Sequence, residues 1–393
     1  MKLNRSISQP VSVSLLHLAN IAFGLFLIAS YPSVAEARGN EQSEPVGVPD
    51  DVFVHTALGG FILGYDIDPT GNEGILAEAL TLADGRHDVA VETFNQKTGQ
   101  IIKIISQETD SKNDYVALGI VGRSVGLVEH EIVRGIFVSQ RRYSILDPVD
   151  SNRITGKWTP PLTTDDIITA VGKNSGATTT ALLGFGSSGG GSSFLFSSDV
   201  EANTFGPLFT LDSNFVPFNA PVMALNSKTQ QAVVAALGAN AFGPPTLAKV
   251  DLGTGATSEF TGVGIGYVNG IAVDPDTGIA CTTTEIDFSV EFYDLASETG
   301  FAIPLPGAVS QAQSGAAVAF DSIHKLFLVG QPISSTAASG SSIQVFDEQG
   351  NFIESVNGLN LPASPVTIAL HPKLRFGYVL VTPDLTELQS FTY

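Results

Sequence analysis

The stretch Val268-Asn-Gly-Ile-Ala-Val-Asp-Pro-Asp-Thr-Gly-Ile-Ala-Cys-Thr-Thr-Thr284 decides the fold, with Phe288-Ser-Val-Glu-Phe-Tyr-Asp294 and Phe301-Ala-Ile-Pro-Leu305 behind it. Four short apolar or β-branched runs are separated by turn residues, the mark of consecutive antiparallel strands. In the first turn, Asp274-Pro275-Asp276-Thr277-Gly278, proline pre-sets φ at the corner. Glycine takes the positive-φ position that closes a bulged hairpin. About forty residues in four strands is the size of one propeller blade.

The unit recurs along the chain. Ala317-Val-Ala-Phe-Asp-Ser-Ile-His-Lys-Leu-Phe-Leu-Val329 repeats the strand–turn–strand pattern, as do Val222-Met-Ala-Leu-Asn-Ser-Lys-Thr-Gln-Gln-Ala-Val-Val234 and the stretch 366–381. Second halves match too: Phe292-Tyr-Asp-Leu-Ala-Ser-Glu-Thr-Gly300, Val345-Phe-Asp-Glu-Gln-Gly350 and Lys249-Val-Asp-Leu-Gly-Thr-Gly255. Blades are expected at 61–107, 125–158, 165–211, 219–262, 267–307, 314–359 and 364–393. The last has three strands, and residues 52–57 form an orphan strand before the first. Pairing the two closes a seven-bladed ring and removes both free edges. The strand at 115–121 has no slot in this phase, so six and eight blades stand as alternatives. The fold class is all-β, a β-propeller over residues 51–393.

The composition agrees. Of 393 residues, 40 are glycine and 15% are charged, which suits strands and turns. No long stretch has helical spacing of apolar residues. The net charge of −20 lacks the clustered Lys and Arg that nucleic-acid binding needs, so no nucleic-acid partner is expected. Cys281 is the only cysteine and reads as a small buried residue on a strand.

Lys2, Arg5, an apolar run over 11–29 and Ala35-Glu36-Ala37 read as a signal peptide over residues 1–37. Residues 38–50 follow as a flexible leader. The run is interrupted by His17 and Asn20 and short of the roughly 20 residues a span needs, so no stable membrane insertion is expected. The mature chain is then secreted or periplasmic, and a monomer.

The first strand of each blade lines the central channel. The loop leading into it shares a face with the loop between the second and third strands, where a pocket forms most readily. Asn269, Asp165, Asp166, Glu285 and Asp287 fall on that face, and Arg141 and Arg142 are expected there from the second blade. An amide with several carboxylates suits Ca²⁺ or Mg²⁺. Asp68, Asp274, Asp276 and Asp321 sit in turns on the other face, bonding their own backbone. His130, His324 and His371 hold matching hairpin positions on different blades and point apart. Gly186-Ser187-Ser188-Gly189 lies in a flexible loop, not on the strand-to-helix turn a serine nucleophile needs.

At the level of its repeats the chain resembles secreted propellers with YVTN-type and NHL-type repeats, within the lactonase-like seven-bladed group. Asn269-Gly270-Ile271 resembles the Asn-Gly-Ile/Leu segment of gluconolactonase-type propellers. That resemblance implies a metal-ligating role for Asn269 at the channel mouth. Ser314-Gly315 and Ser364-Pro365, where the next two blades begin, carry no acid. The expected function is an exported, non-catalytic binding or scaffold propeller for an unknown protein or small-molecule ligand. The alternative is a metal-dependent lactonase or related hydrolase.

Overall fold

The computed structural model describes residues 47–69, 71–83, 87–108, 113–121, 124–133, 136–147, 153–155, 166–172, 179–186, 193–199, 204–211, 222–236, 243–284, 286–308, 315–332, 341–362, 367–381 and 385–393. The chain divides into two units, Met1–Ser43 and Glu44–Tyr393. The first, with the expected signal segment, lies outside the described residues. The second carries every described strand. Among the described residues no helix is long and apolar enough to cross a membrane.

The described strands form seven antiparallel sheets. Sheet 1 is Phe61–Ile67, Glu73–Thr81, His87–Asn95 and Ile101–Glu108; sheet 2 is Asn113–Val121, Ser124–Val133, Ile136–Asp147 and Arg153–Thr155. Sheet 3 is Asp166–Gly172, Thr179–Gly186 and Ser193–Asp199, edged by Thr204–Phe205 and Phe209–Thr210. Sheet 4 is Val222–Asn226, Gln231–Ala236, Thr246–Asp251 and Thr257–Thr261. Sheet 5 is Val268–Val273, Ile279–Thr284, Ser289–Asp294 and Thr299–Pro304. Sheet 6 is Ala317–Asp321, Leu326–Gln331, Ser341–Asp347 and Phe352–Leu359. Sheet 7 joins Ile368–His371, Phe376–Val381 and Glu387–Thr392 to the first described strand, Val48–His55.

That first strand runs antiparallel to Glu387–Thr392, Val48 opposite Thr392 and His55 opposite Glu387. It begins inside the stretch expected to be a leader. The first strands of successive sheets lie against one another in order, and Ile368–His371 lies against Phe61–Ile67. Two tyrosines cross that junction. The Tyr65 hydroxyl donates to the Thr367 carbonyl and accepts from the Leu380 amide at 2.9 Å; the Tyr378 hydroxyl donates to the Gln96 carbonyl at 2.6 Å.

Sheet 2 corrects the expected phase. Residues 115–121, which had no slot, lie in its first strand, and residues 125–133 lie in its second. Arg141 and Arg142 therefore fall within a third strand and not in a loop. His130 sits on a second strand, so it does not match the positions of His324 and His371.

Middle strands are buried on both sides because sheets pack face to face. Thus Leu326–Gln331 is buried throughout, while the outer strand Thr299–Pro304 is mostly exposed. Phe292, Phe320, Phe327 and Phe346 fill the space between sheets 5 and 6 together with Cys281, the small buried residue expected. Tyr293 fills the space between sheets 4 and 5.

The turns show why the repeat was legible. The Asp274 carboxylate accepts from the Asp276 amide at 2.9 Å and the Thr277 hydroxyl at 2.6 Å. Asp321 accepts from the amides of Ile323 and His324 at 2.8 and 3.0 Å. Gly278, Lys325 and Arg375 then close their hairpins at φ of 75°, 59° and 52°. Only glycine occupies that region without steric strain. Asp276 differs from expectation: its side chain pairs with Lys228 of sheet 4 and Lys325 of sheet 6.

Candidate functional site

In a four-stranded antiparallel sheet, the connection to the next sheet emerges at the same end as the loop between strands two and three. The remaining two turns lie at the opposite end. The described residues carry different chemistry at the two ends.

At the turn end, charges cross between sheets. Lys325 reaches Asp274 at 2.9 Å, and Arg375 of sheet 7 reaches Glu354 of sheet 6 at 3.2 Å. The Tyr393 hydroxyl donates to Asp321 at 2.8 Å. A hydrogen bond to the buried Asp274, with burial and the Asp274 charge, pushes Glu348 up to about 7. Burial opposes ionisation of Asp274, but the bonds it accepts from Glu348, Thr277, the Asp276 amide and Lys325 hold it well below the carboxylate range.

At the connection end, acids are buried under backbone. Glu78 and Glu92 point from sheet 1 beneath the segment that links the first described strand to that sheet. Glu78 accepts from the amides of Leu58, at 3.2 Å, and Gly60, and Glu92 accepts from the Ala57 amide at 3.1 Å. Both acids are fully buried. Burial pushes Glu92 up to about 8, with the neighbouring Glu78 adding to the rise, and its Oε1 finds no partner. A neutral carboxyl is what such a site tolerates.

Sheet 5 repeats the placement. Glu291 holds the position of Glu92 on its third strand, one residue before the last inward aromatic pair, Phe292-Tyr293. Its carboxyl takes hydrogen bonds from Thr282 at 2.9 Å, Ser289 at 2.9 Å and Thr284 at 3.2 Å. Burial pushes it up to about 8 against the pull of the Thr282 and Ser289 hydroxyls, and Asp287 adds to the rise. Above it runs the connection 262–266. The Val263 amide donates to the Tyr293 hydroxyl at 3.0 Å, and burial pushes that phenol up to about 12.

The residues expected to hold a cation are placed only in part. Asp165 and Glu285 lie outside the described residues. Asp166 opens the first strand of sheet 3. Asn269 is half-buried on the first strand of sheet 5, its amide nitrogen donating to the Gly315 carbonyl at 3.2 Å. Asp287 is half-buried on the loop before Glu291. Among the described residues no three His, Cys, Asp or Glu side chains are grouped to hold a metal ion. Sequence reasoning passed over Glu78, Glu92 and Glu291. A signal was present: Thr282, Thr284, Ser289 and Glu291 are same-face polar residues on two buried middle strands.

No family model matches the chain, and no curated protein sequence matches it. A chain from the crystal structure of a mitotic checkpoint complex superposes with a TM-score of 0.59 at 14% identity, over 94% of this chain and 99% of that one. The fold is a β-propeller. At this identity the likeness speaks for architecture alone. Propellers present their connection loops on one end of the ring, where the braced segments 57–60 and 262–266 lie.

Proposed function

We propose that this chain is an exported, non-catalytic binding propeller of seven blades, closed by Val48–His55 on the last sheet, with a protein partner at its connection end. The bracing of the connections carries this reading. Loops on that end are held by buried side chains through their own amides: Ala57, Leu58 and Gly60 by two carboxyls, Val263 by a phenol. A loop fixed before binding loses little conformational entropy on complex formation, which is what a scaffold needs. The neighbouring propeller's presence in a protein complex supports a protein partner.

The contrasting hydrolase reading rests on a cation at Asn269 with Asp287, Glu285, Asp165 and Asp166. Purified protein is to be assayed for lactone hydrolysis with and without Ca²⁺ or Mg²⁺, and titrated with Ca²⁺ by calorimetry beside Asn269→Ala. The binding reading expects no turnover and equal heats for both proteins. Metal-dependent turnover lost in Asn269→Ala would replace it with the hydrolase.

A further inference from the structure

We propose that residues 262–266, with Ile286 and Phe288, form the docking surface of this propeller, and that it takes a cationic, apolar-rich peptide segment of a partner. The proposal rests on the binding reading above and names its surface and partner chemistry.

The stretch Gly262-Val-Gly-Ile-Gly266 alternates without fault. Gly262, Gly264 and Gly266 are buried; Val263 and Ile265 are 40% and 41% exposed. An ordinary half-buried strand does the reverse, turning β-branched residues inward and leaving small or polar ones outside. Space explains the inward glycines. A Cβ at 262 would lie 2.8 Å from Pro245 Cγ, one at 264 would lie 2.7 Å from Glu291 Oε1, and one at 266 would lie 2.9 Å from Ile286 Cγ1. Gly266 also holds φ at 96°. A slip by one residue would drive Val263 and Ile265 into those contacts, so the register is locked with both side chains outward.

The segment is also pinned at both ends. The Gly262 amide donates to Pro245 O at 2.8 Å and the Gly266 amide to Gly243 O at 3.1 Å. Val263 and Ile265 therefore cannot fold under to escape water. Beneath the segment Ile286 lies against Gly266 and backs it, and Phe288, two residues on in the loop at the same end, is 36% exposed. Clustered outward apolar residues on a rigid backbone mark an interaction surface rather than scattered exposure.

Charge selects the partner. Between Lys249 and Lys325 the chain carries no Lys or Arg, and the acids whose sequence positions fall towards the connection end there are Glu259, Glu285 and Asp287. Those flanking lysines, and Lys228, are engaged at the turn end: Lys249 with Glu298 at 2.8 Å, Lys325 with Asp274 and Asp276, and Lys228 with Asp276. Asp287 beside Ile286, and the exposed Glu259 on the strand that leads into 262–266, have no neighbouring base in sequence to balance them. An anionic partner would be repelled, and the net charge of −20 draws in a cationic one.

A short fluorescent peptide alternating leucine with lysine, and its leucine–glutamate counterpart, are titrated against the protein and against V263S/I265S. The wild type is expected to bind the leucine–lysine peptide, more weakly as salt rises, and not the leucine–glutamate one. The double variant is expected to lose about tenfold in affinity, as two partly buried β-branched contacts disappear, with an unchanged melting temperature. Asp287→Lys, which keeps the apolar residues, is expected to weaken the leucine–lysine peptide and favour its counterpart. Equal affinity of the wild type and both variants for the leucine–lysine peptide overturns this surface and leaves the binding reading standing. Failure of the wild type to bind that peptide, or equal binding of both peptides, overturns the partner chemistry. Metal-dependent lactone turnover would instead overturn the binding reading itself.

Discussion

The connections 57–60 and 262–266 cross the same end of the molecule over buried acids, and they are held in different ways. In the first, two carboxyls of sheet 1 accept three backbone amides directly. In the second, the phenol of Tyr293 accepts the Val263 amide, backbone carbonyls take Gly262 and Gly266, and Glu291 stays below among hydroxyls of its own sheet. The first connection joins sheet 1 to a strand that pairs with the last sheet. The second joins neighbours in sequence. Where chain ends from opposite termini must be held together, the fold uses three amide bonds to two side-chain carboxyls. Where continuity already holds the sheets, neutral partners suffice.

The largest difference between the two should appear on removing what each joins. Deleting residues 48–55 strips sheet 7 of its fourth strand and leaves Glu387–Thr392 as an open edge. It also frees the segment that Glu78 and Glu92 clamp. The melting temperature is expected to fall by more than about 10 °C, or the cooperative transition to disappear. A melting curve that matches the full chain would contradict closure by this strand.

Smaller effects separate the two connections at their glycines. A Cβ at Gly60 would lie 2.3 Å from the Ala79 carbonyl oxygen, which belongs to a middle strand and cannot yield. At Gly264 the nearest atoms are side chains, Glu291 Oε1 at 2.7 Å and Thr284 Cγ2 at 2.8 Å. Gly60→Ala is expected to lose about 3 kcal/mol in denaturant unfolding and Gly264→Ala about 1–2 kcal/mol. The reverse order would mean that the Glu291 pocket is the more rigid of the two.

The repeat was legible because its turns carry their own chemistry. Asp274, Asp321 and the Asp294 and Asp347 turns each bind local amides, so the same letters recur at the same spacing. Sheet 2 was misphased because its first hairpin joins Val121 to Ser124 through Gly122-Arg123, with no aspartate turn to announce it. Its long second and third strands, Ser124–Val133 and Ile136–Asp147, blurred the period further. The buried acids were missed for a different reason. A strand's alternation says that Glu291 and Tyr293 share a face, but not that the face meets sheet 4 under a connection of glycines. That depends on which sheets become neighbours, and a local pattern does not carry it. Among the expected cation ligands, Asn269 lies on the first strand of sheet 5 and Asp287 on the loop before its third. Asp165 and Glu285 fall outside the described residues.

The sharpest measurement is the pH dependence of unfolding for the wild type and Glu291→Gln. The ordinary value for this carboxyl is 4.5, and burial raises it to about 8 in the fold. Below pH 4.5 it is protonated in both states and contributes no slope. Between 4.5 and 8 the unfolded chain ionises while the folded one keeps its proton, so stability falls as pH rises; above 8 both are ionised and the slope ends. Glutamine keeps the shape and hydrogen-bonding capacity but cannot titrate. Denaturant unfolding free energies of the two proteins are therefore expected to diverge by about 1.4 kcal/mol per pH unit between pH 5 and 7.5, with the variant gaining. Parallel curves across that range would contradict a neutral acid beneath the connection and show that the fold holds Glu291 as a carboxylate.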